Sequence, residues 1–303
     1  NDSEYYLELT LKNAGKVFLG VNYAKKEDEK YNCNIDGKIQ DWIICFSAFY
    51  KSTYTDYLEG WIKAADPVYL LFDFYPFLIE GDRWNYFLNL ELARDVVKRK
   101  QIPVGGYLQS VGIKDALRRP KENELRYNVY TMLAYGVKKL NWFTWWTPEP
   151  NSGGEIFTDA IITADGKKTD LYIPVKILGE EIENLGRTLI DLKLISVYHS
   201  GELPAGTKGI PKTFFWQPLN PDEPLILSLF IDKNDRKYIM IVNKDYKSSK
   251  TVKFFILPSP QTITEISRRT GLEIIVDYKA SSGELVLDFS PGDGRLFALP
   301  IGY

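Results

Sequence analysis

The chain has 303 residues, enough for two domains or for one barrel with an appendage. Its 38 Lys+Arg nearly balance 40 Asp+Glu, so no charge field for nucleic acid or a membrane surface is implied. His199 is the single histidine, which excludes a multi-histidine metal site and leaves any Ser-His-Asp triad only that residue. Cys33 and Cys45 offer neither metal spacing nor a disulfide framework, and no span of about twenty apolar residues exists to cross a bilayer. No metal and no cofactor is expected. The chain opens on Asn1 rather than Met, which reads as a processed or truncated product, and both a secreted and a cytoplasmic location fit.

In chain order, residues 16–24 (KVFLGVNYA) read as a strand ending in the polar Asn22, and 25–38 as a charged surface loop. Residues 42–50 are apolar and fit strand or helix. Helical spacing appears through Tyr57, Leu58 and Trp61 in 54–65. Next comes VYLLFDFYPF, 68–77, a solid apolar run that suddenly carries Asp73, then Tyr75 and the strand-stopping Pro76. Alternation puts Asp73 and Tyr75 on one face. A carboxylate there is costly unless paired, hydrogen-bonded or wet, so Asp73 is either an active-site acid or an acceptor that anchors a loop.

An amphipathic helix is predicted over 84–99, with Phe87, Leu88, Leu92 and Val96 on one face. The strand 102–110 (IPVGGYLQS) follows, with Gly105 and Gly106 permitting a close approach and Gln109 at its carboxyl end. Alternation groups Gly105, Tyr107 and Gln109 on one face. Arg119 or Arg126 could hold a carboxylate, against the simpler reading of a solvated arginine. Leu125, Val129, Met132 and Leu133 mark a helix from Glu122 to a C-capping Gly136. It feeds a buried strand, LNWFTWW, 140–146, whose end carries Trp145 and Trp146 on opposite faces, one of them free to face something other than core. A helix feeding a buried strand is the unit of a parallel sheet, whose ligands gather at the strands' carboxyl ends. Residues 150–155 (PNSGGE) form a loop at that same end and bring Glu155 there. A last amphipathic helix runs through Val175, Leu178, Ile182, Leu185 and Leu189.

From about residue 195 the texture changes to short alternating runs at 225–231, 238–242, 251–257, 273–278, 285–289 and 295–299, separated by turn residues, as in an antiparallel β-sandwich. The expected division is 1–192 and 193–303. The 20 Tyr, 16 Phe and 7 Trp also suit a sugar-binding protein.

Three stretches in this order carry a resemblance: DPVYLLFDFYPF (66–77), the strand 102–112, and ENELRYNVYTMLAYGVKKLNWFTWW (122–146), with Glu155-Ile156-Phe157 after them. The set resembles the back half of a clan-A glycoside hydrolase barrel, nearest to glycoside hydrolase family 42, over about residues 16–190. The resemblance implies a TIM-type (β/α)8 barrel of which only the carboxyl-terminal half is present, because such a barrel needs roughly 250 residues. It implies a carbohydrate substrate, β-linked and galactosidase-like, and a sugar contact at Glu155; Asp73 and Glu155 are the carboxylates this chain has available as catalytic groups. Asn22, Tyr75, Gln109, Arg119, Trp145 and Trp146 would bind sugar. Gln109 stands where the family has its nucleophilic glutamate, and an amide cannot form a glycosyl ester. The rival readings are therefore a carbohydrate-binding pseudo-enzyme and a non-sugar α/β protein. Four βα units left open would expose strand edges, so self-association or pairing with a missing amino-terminal half is expected.

Overall fold

The computed structural model describes residues 53–149 and 154–303. The expected strand 16–24 with Asn22, the loop 25–38 and the apolar run 42–50 lie outside them. The described residues fall into two compact units, 53–70 with 95–103, and 71–94 with 104–303.

In the first unit, helix α1 (Tyr54–Ala65) follows the spacing read from the sequence. Thr53 caps it, accepting from the Asp56 N–H at 3.2 Å, while the Asp56 carboxylate accepts from the Thr53 N–H at 2.8 Å. Leu58 and Ile62 are its buried face, and Glu59 pairs with Arg99 at 2.6 Å.

A three-stranded sheet has the order β1 (Leu70–Asp73), β2 (Val104–Gln109), β3 (Lys139–Phe143), with β2 and β3 parallel. Helix α2 (Tyr86–Lys100) precedes β2, and helix α3 (Glu122–Ala134) connects β2 to β3. The two glycines of β2 are demanded from opposite faces. A Cβ on Gly105 would lie 2.9 Å from Leu71 and 3.2 Å from Lys139, and one on Gly106 would lie 2.7 Å from the sulfur of Met132 on α3. Leu71, Asp73, Gly105, Tyr107, Lys139, Asn141 and Phe143 therefore share the face away from α3. Three strands of this layer are on display among the described residues. They make an open sheet, not a closed barrel.

Helix α4 (Tyr172–Leu189) ends the helical part, burying Val175, Leu178, Leu185 and Leu189. A groove of about 280 Å³ runs between α4 and the helix-side face of β3, lined by Leu140, Trp142, Ile182 and Ile190 among others. It is apolar, and its Lys138 ammonium is tied to the Leu192 carbonyl at 2.7 Å.

The antiparallel strands begin at β4 (Lys193–His199). They continue as β5 (Trp216–Pro218), β6 (Leu225–Ile231), β7 (Lys237–Asn243), β8 (Lys250–Ile256), β9 (Thr264–Ile266), β10 (Glu273–Ile275), β11 (Glu284–Phe289) and β12 (Gly294–Ala298). One sheet has the order β10-β9-β12-β7-β6-β4, the other β11-β8-β5. Trp216, Leu227, Ile241, Phe254, Leu287 and Phe297 belong to one core drawn from both sheets. Although the change of texture falls at Lys193, residues 104–303 belong to a single compact unit.

The reason is α3. It is buried on every side, from Leu125 through Ala134 apart from Arg126, and packs against β2 and α4 on one side and β6, β7 and β12 on the other. Gly136, at φ +76°, stops it in the left-handed conformation that the C-cap reading anticipated. Gly292 and Gly294 let the antiparallel sheet approach: a Cβ on Gly292 would lie 2.6 Å from the Asn123 carbonyl, and one on Gly294 would lie 2.4 Å from the Tyr130 ring.

His199 is fully buried at this junction, edge-on to Phe87 at 4.9 Å. Tyr135 donates its hydroxyl to Glu91 at 3.0 Å, so the His199 Nε2, 2.9 Å from the Tyr135 oxygen, is assigned the proton. Burial, helped by the positive charges of Lys244 and Arg94, holds the imidazole pKa well below its usual value. The histidine is thus a core residue.

Two outcomes follow from this packing. Gly292→Ala combines a left-handed φ of +68° with a backbone collision. It should cost about 2 kcal/mol or more, read as a lowered melting temperature. Gly179→Ala in α4, where a Cβ meets nothing, should instead gain about 0.5–1 kcal/mol. For His199 the folded pKa lies below the unfolded one. Its stabilising contribution is therefore complete above about pH 6.5 and is lost as pH falls toward the folded value. Melting at pH 7.5 and 5.5 should show a larger acid penalty for the wild type than for His199→Gln; equal penalties would refute it.

Candidate active site

At the carboxyl ends of the parallel layer, Tyr75 and Phe143 meet on the face away from α3. Tyr75 follows β1 and stacks on Phe143 at the end of β3, with ring centroids 5.3 Å apart and planes 26° off parallel. Its hydroxyl is buried and has no hydrogen-bond partner among the described residues. Burial raises the Tyr75 pKa well above that of a free phenol, and the charges of Asp73 and Glu155 and the phenol of Tyr107 push it further. Asp73, Tyr107 and Glu155 are therefore near enough to act on this hydroxyl through their charge, and Tyr75 stays protonated as a donor.

Asp73 itself is exposed at the end of β1, yet enough protein surrounds its carboxyl that desolvation raises its pKa. A hydrogen bond to its own backbone and the nearby Arg83 guanidinium oppose the rise. Arg83 is pulled down to about 10 by burial and held up by Asp73. It lies 4.8 Å over the Phe74 ring and donates through Nε to the Tyr75 carbonyl at 2.8 Å, which fixes the turn that presents Tyr75. Arg83 gave no signal in the sequence, because a single arginine in a polar loop follows no period. The exposed Glu155 completes the cluster from the loop after β3.

The two tryptophans are placed differently from the expectation. Strand β3 ends at Phe143, so Trp145 and Trp146 lie in the turn beyond it and do not alternate across a sheet. Thr144 donates to the Trp146 carbonyl at 2.7 Å, and Ser110 donates to the Thr144 carbonyl at 2.8 Å, pinning this turn to β2. Both tryptophans are open to solvent, 47% and 52% exposed, so neither is core. Trp145 stands edge-on to Tyr172 at 6.4 Å, and the Trp146 ring lies over Gly166.

Gln109 is fully buried. Its Oε1 accepts from the Phe77 N–H at 3.0 Å, and its Nε2 donates to the carbonyls of Phe77 at 3.1 Å and Arg118 at 2.8 Å. With both amide hydrogens and its oxygen engaged, it acts as a strut between two loops. Arg119 is likewise engaged, pairing with Asp170 at 2.6 Å and donating to the Asp159 carbonyl at 2.6 Å. Both ties hold loops in place. Among the described residues no cluster of His, Cys, Asp or Glu could hold a metal ion, and no helix is long and apolar enough to cross a membrane.

No family model matches the chain, and no curated protein matches it. Among solved structures, it is similar to a Bacteroides fragilis protein named as a candidate alpha-galactosidase/melibiase, at TM-score 0.45 and 11% identity over 87% of this chain and 51% of that one. It is also similar to a GH27 β-L-arabinopyranosidase from Geobacillus stearothermophilus, at TM-score 0.28 and 10% identity over 82% and 62%. A third likeness is to a GH51 arabinofuranosidase from Xanthomonas axonopodis pv. citri, at TM-score 0.33 and 12% identity over 82% and 54%. Family 42 is not among these three. The chain spans about half the length of the first, and overlaps this loose assign it no activity.

Asp73 yields a sign-defined test. With its folded pKa raised above the unfolded value, the ionised carboxyl is the disfavoured form in the folded state. The stability it contributes is complete below the ordinary Asp range and is lost as pH rises through the folded pKa. Asp73→Asn should therefore raise the melting temperature at pH 7 and leave it unchanged at pH 3. A lowered melting temperature at pH 7 would make Asp73 a structural acceptor.

Proposed function

We propose that the chain carries the sugar-facing part of a glycoside hydrolase acting on β-linked, galactosidase-like substrates. The observation that carries this reading is that two carboxylates, Asp73 and Glu155, lie within electrostatic reach of the buried Tyr75 hydroxyl beside the Tyr75–Phe143 stack. Glycosidic cleavage needs one carboxyl that is protonated and one that is not. Asp73, whose pKa is raised, is suited to protonate the leaving oxygen, and Glu155 to attack or stabilise the anomeric centre. Tyr75 is too weak an acid to be the nucleophile and donates a hydrogen bond. The exposed rings of Trp145 and Trp146 supply apolar area for the C–H face of a pyranose, whose hydroxyls stay hydrogen-bonded at the edge.

A second reading, sugar binding without cleavage, has its own observation. The position that the resemblance gives to the nucleophile holds Gln109, which is neutral and turned into the protein. The two readings part in an assay with a 4-nitrophenyl β-galactoside. Hydrolysis by the wild type, lowered about 100-fold or more in kcat by Asp73→Asn, supports the enzyme. Trp146→Ala should raise KM by about ten-fold, the scale of one lost aromatic contact of about 1–1.5 kcal/mol. Ligand binding with no turnover in the wild type would favour the binding protein, and turnover insensitive to Asp73→Asn would remove Asp73 from the chemistry.

A further inference from the structure

Asn141 sits in the middle of β3, between Leu140 and Trp142. Register pairs it with Tyr107, so it lies on the same face as Tyr107, Asp73 and Phe143, two residues before the ring on which Tyr75 stacks. Its Nδ2 is buried and has no hydrogen-bond partner among the described residues, as is true of the Tyr75 hydroxyl. Both orphans are donors, one on a residue two positions before Phe143 and the other on the ring stacked against it. A buried donor without an acceptor destabilises a fold, and an apolar side chain at a strand position between leucine and tryptophan would avoid that cost. Such a group is retained where an acceptor arrives from outside.

We propose that Asn141 is a ligand-binding residue, its amide and the Tyr75 hydroxyl donating to neighbouring oxygens of one electrically neutral sugar ring laid against Phe143. This rests on the glycoside hydrolase reading and narrows its substrate class. Neutrality follows from the charges that face the cluster. Asp73 and Glu155 both act on Tyr75, and Arg83 acts on Asp73; with Asp73 protonated as the acid, Arg83 only balances Glu155, so a uronate carboxylate would find no surplus positive charge among these groups. The donors ask for hydroxyl or ring oxygens, and the Phe143 ring asks for C–H groups between them.

The test uses the full chain with galactose, glucose and galacturonate as probes, followed by tryptophan fluorescence, and thermal melting of each variant. Asn141→Leu keeps the bulk and removes the donor; Asn141→Asp keeps the shape and replaces the donor by an acceptor. The wild type should bind a neutral hexose and reject galacturonate. Both variants should bind that hexose about ten-fold or more weakly, and Asn141→Leu should melt at the wild-type temperature or above, because no internal bond is lost. Unchanged hexose affinity in both variants would overturn the role of Asn141 while leaving the glycosidase reading standing. Asn141→Leu melting well below wild type would also overturn it, by showing an internal partner. Galacturonate bound as tightly as galactose would overturn the neutral substrate class. A wild type that binds none of the three would overturn both readings together.

Discussion

Beyond its first two residues helix α3 has almost no solvent face, and the polar groups it buries must find their partners in protein. Asn128 accepts from the Gln109 N–H at 2.8 Å and donates to the Tyr86 hydroxyl at 3.0 Å. Thr131 lies 3.0 Å from that same hydroxyl. Arg126 pairs with Glu181 at 2.7 Å and with Asp293 at 3.0 Å, and Glu124 pairs with Arg118 at 2.6 Å. Each satisfied group fixes a neighbour: β2, α2, α4, β12 and the loop that Arg118 holds. The site at the strand ends inherits its geometry from these ties. Gln109 is held from below by Asn128 and in turn clamps Phe77, two residues past Tyr75. A perturbation in α3 therefore reaches Tyr75 through two hydrogen-bonded steps.

Much of the fold was legible because packing follows period. The spacing of Tyr57, Leu58 and Trp61 marked α1, and alternation marked β6, β7, β8, β11 and β12 to within a residue at most ends. Period fails where burial is uniform. Helix α3 was found from Leu125, Val129, Met132 and Leu133, but those positions describe a single face. Nothing in the pattern shows that Tyr127, Tyr130 and Asn128 are buried too, since tyrosine and asparagine also occupy wet faces. The end of β3 was misread for a similar reason. The apolar run continues through Trp146, while the strand stops at Phe143, and a run of aromatics gives no mark for the last paired residue.

The site shows the same division. Alternation correctly grouped Gly105, Tyr107 and Gln109, and pointed to Asp73 and Tyr75 together. It could not show that the Gln109 amide would be taken up, because its partners are two carbonyls and an N–H of loops outside the strand. Asn141 was visible as a lone polar residue in an apolar run, but only the register against Tyr107 gives it a face. The charge relations among Asp73, Glu155, Arg83 and Tyr75 are likewise three-dimensional, joining residues from two separate loops.

The burial of α3 between the parallel layer and the antiparallel sheet also governs how the polypeptide can be divided. A boundary near residue 192 falls in a short connection and separates two textures of sequence, as a domain border does. Yet Gly292 and Gly294 press directly on α3, and Asp293 between them closes an ion-pair network with Arg126 and Arg268. Cutting there would strip one flank from a helix that cannot tolerate water on either, and would leave Asp293 a buried carboxylate without one of its cations. Residues 104–303 should accordingly be inherited, expressed and unfolded as an indivisible block, and shuffling the antiparallel part onto another scaffold would require carrying α3 with it.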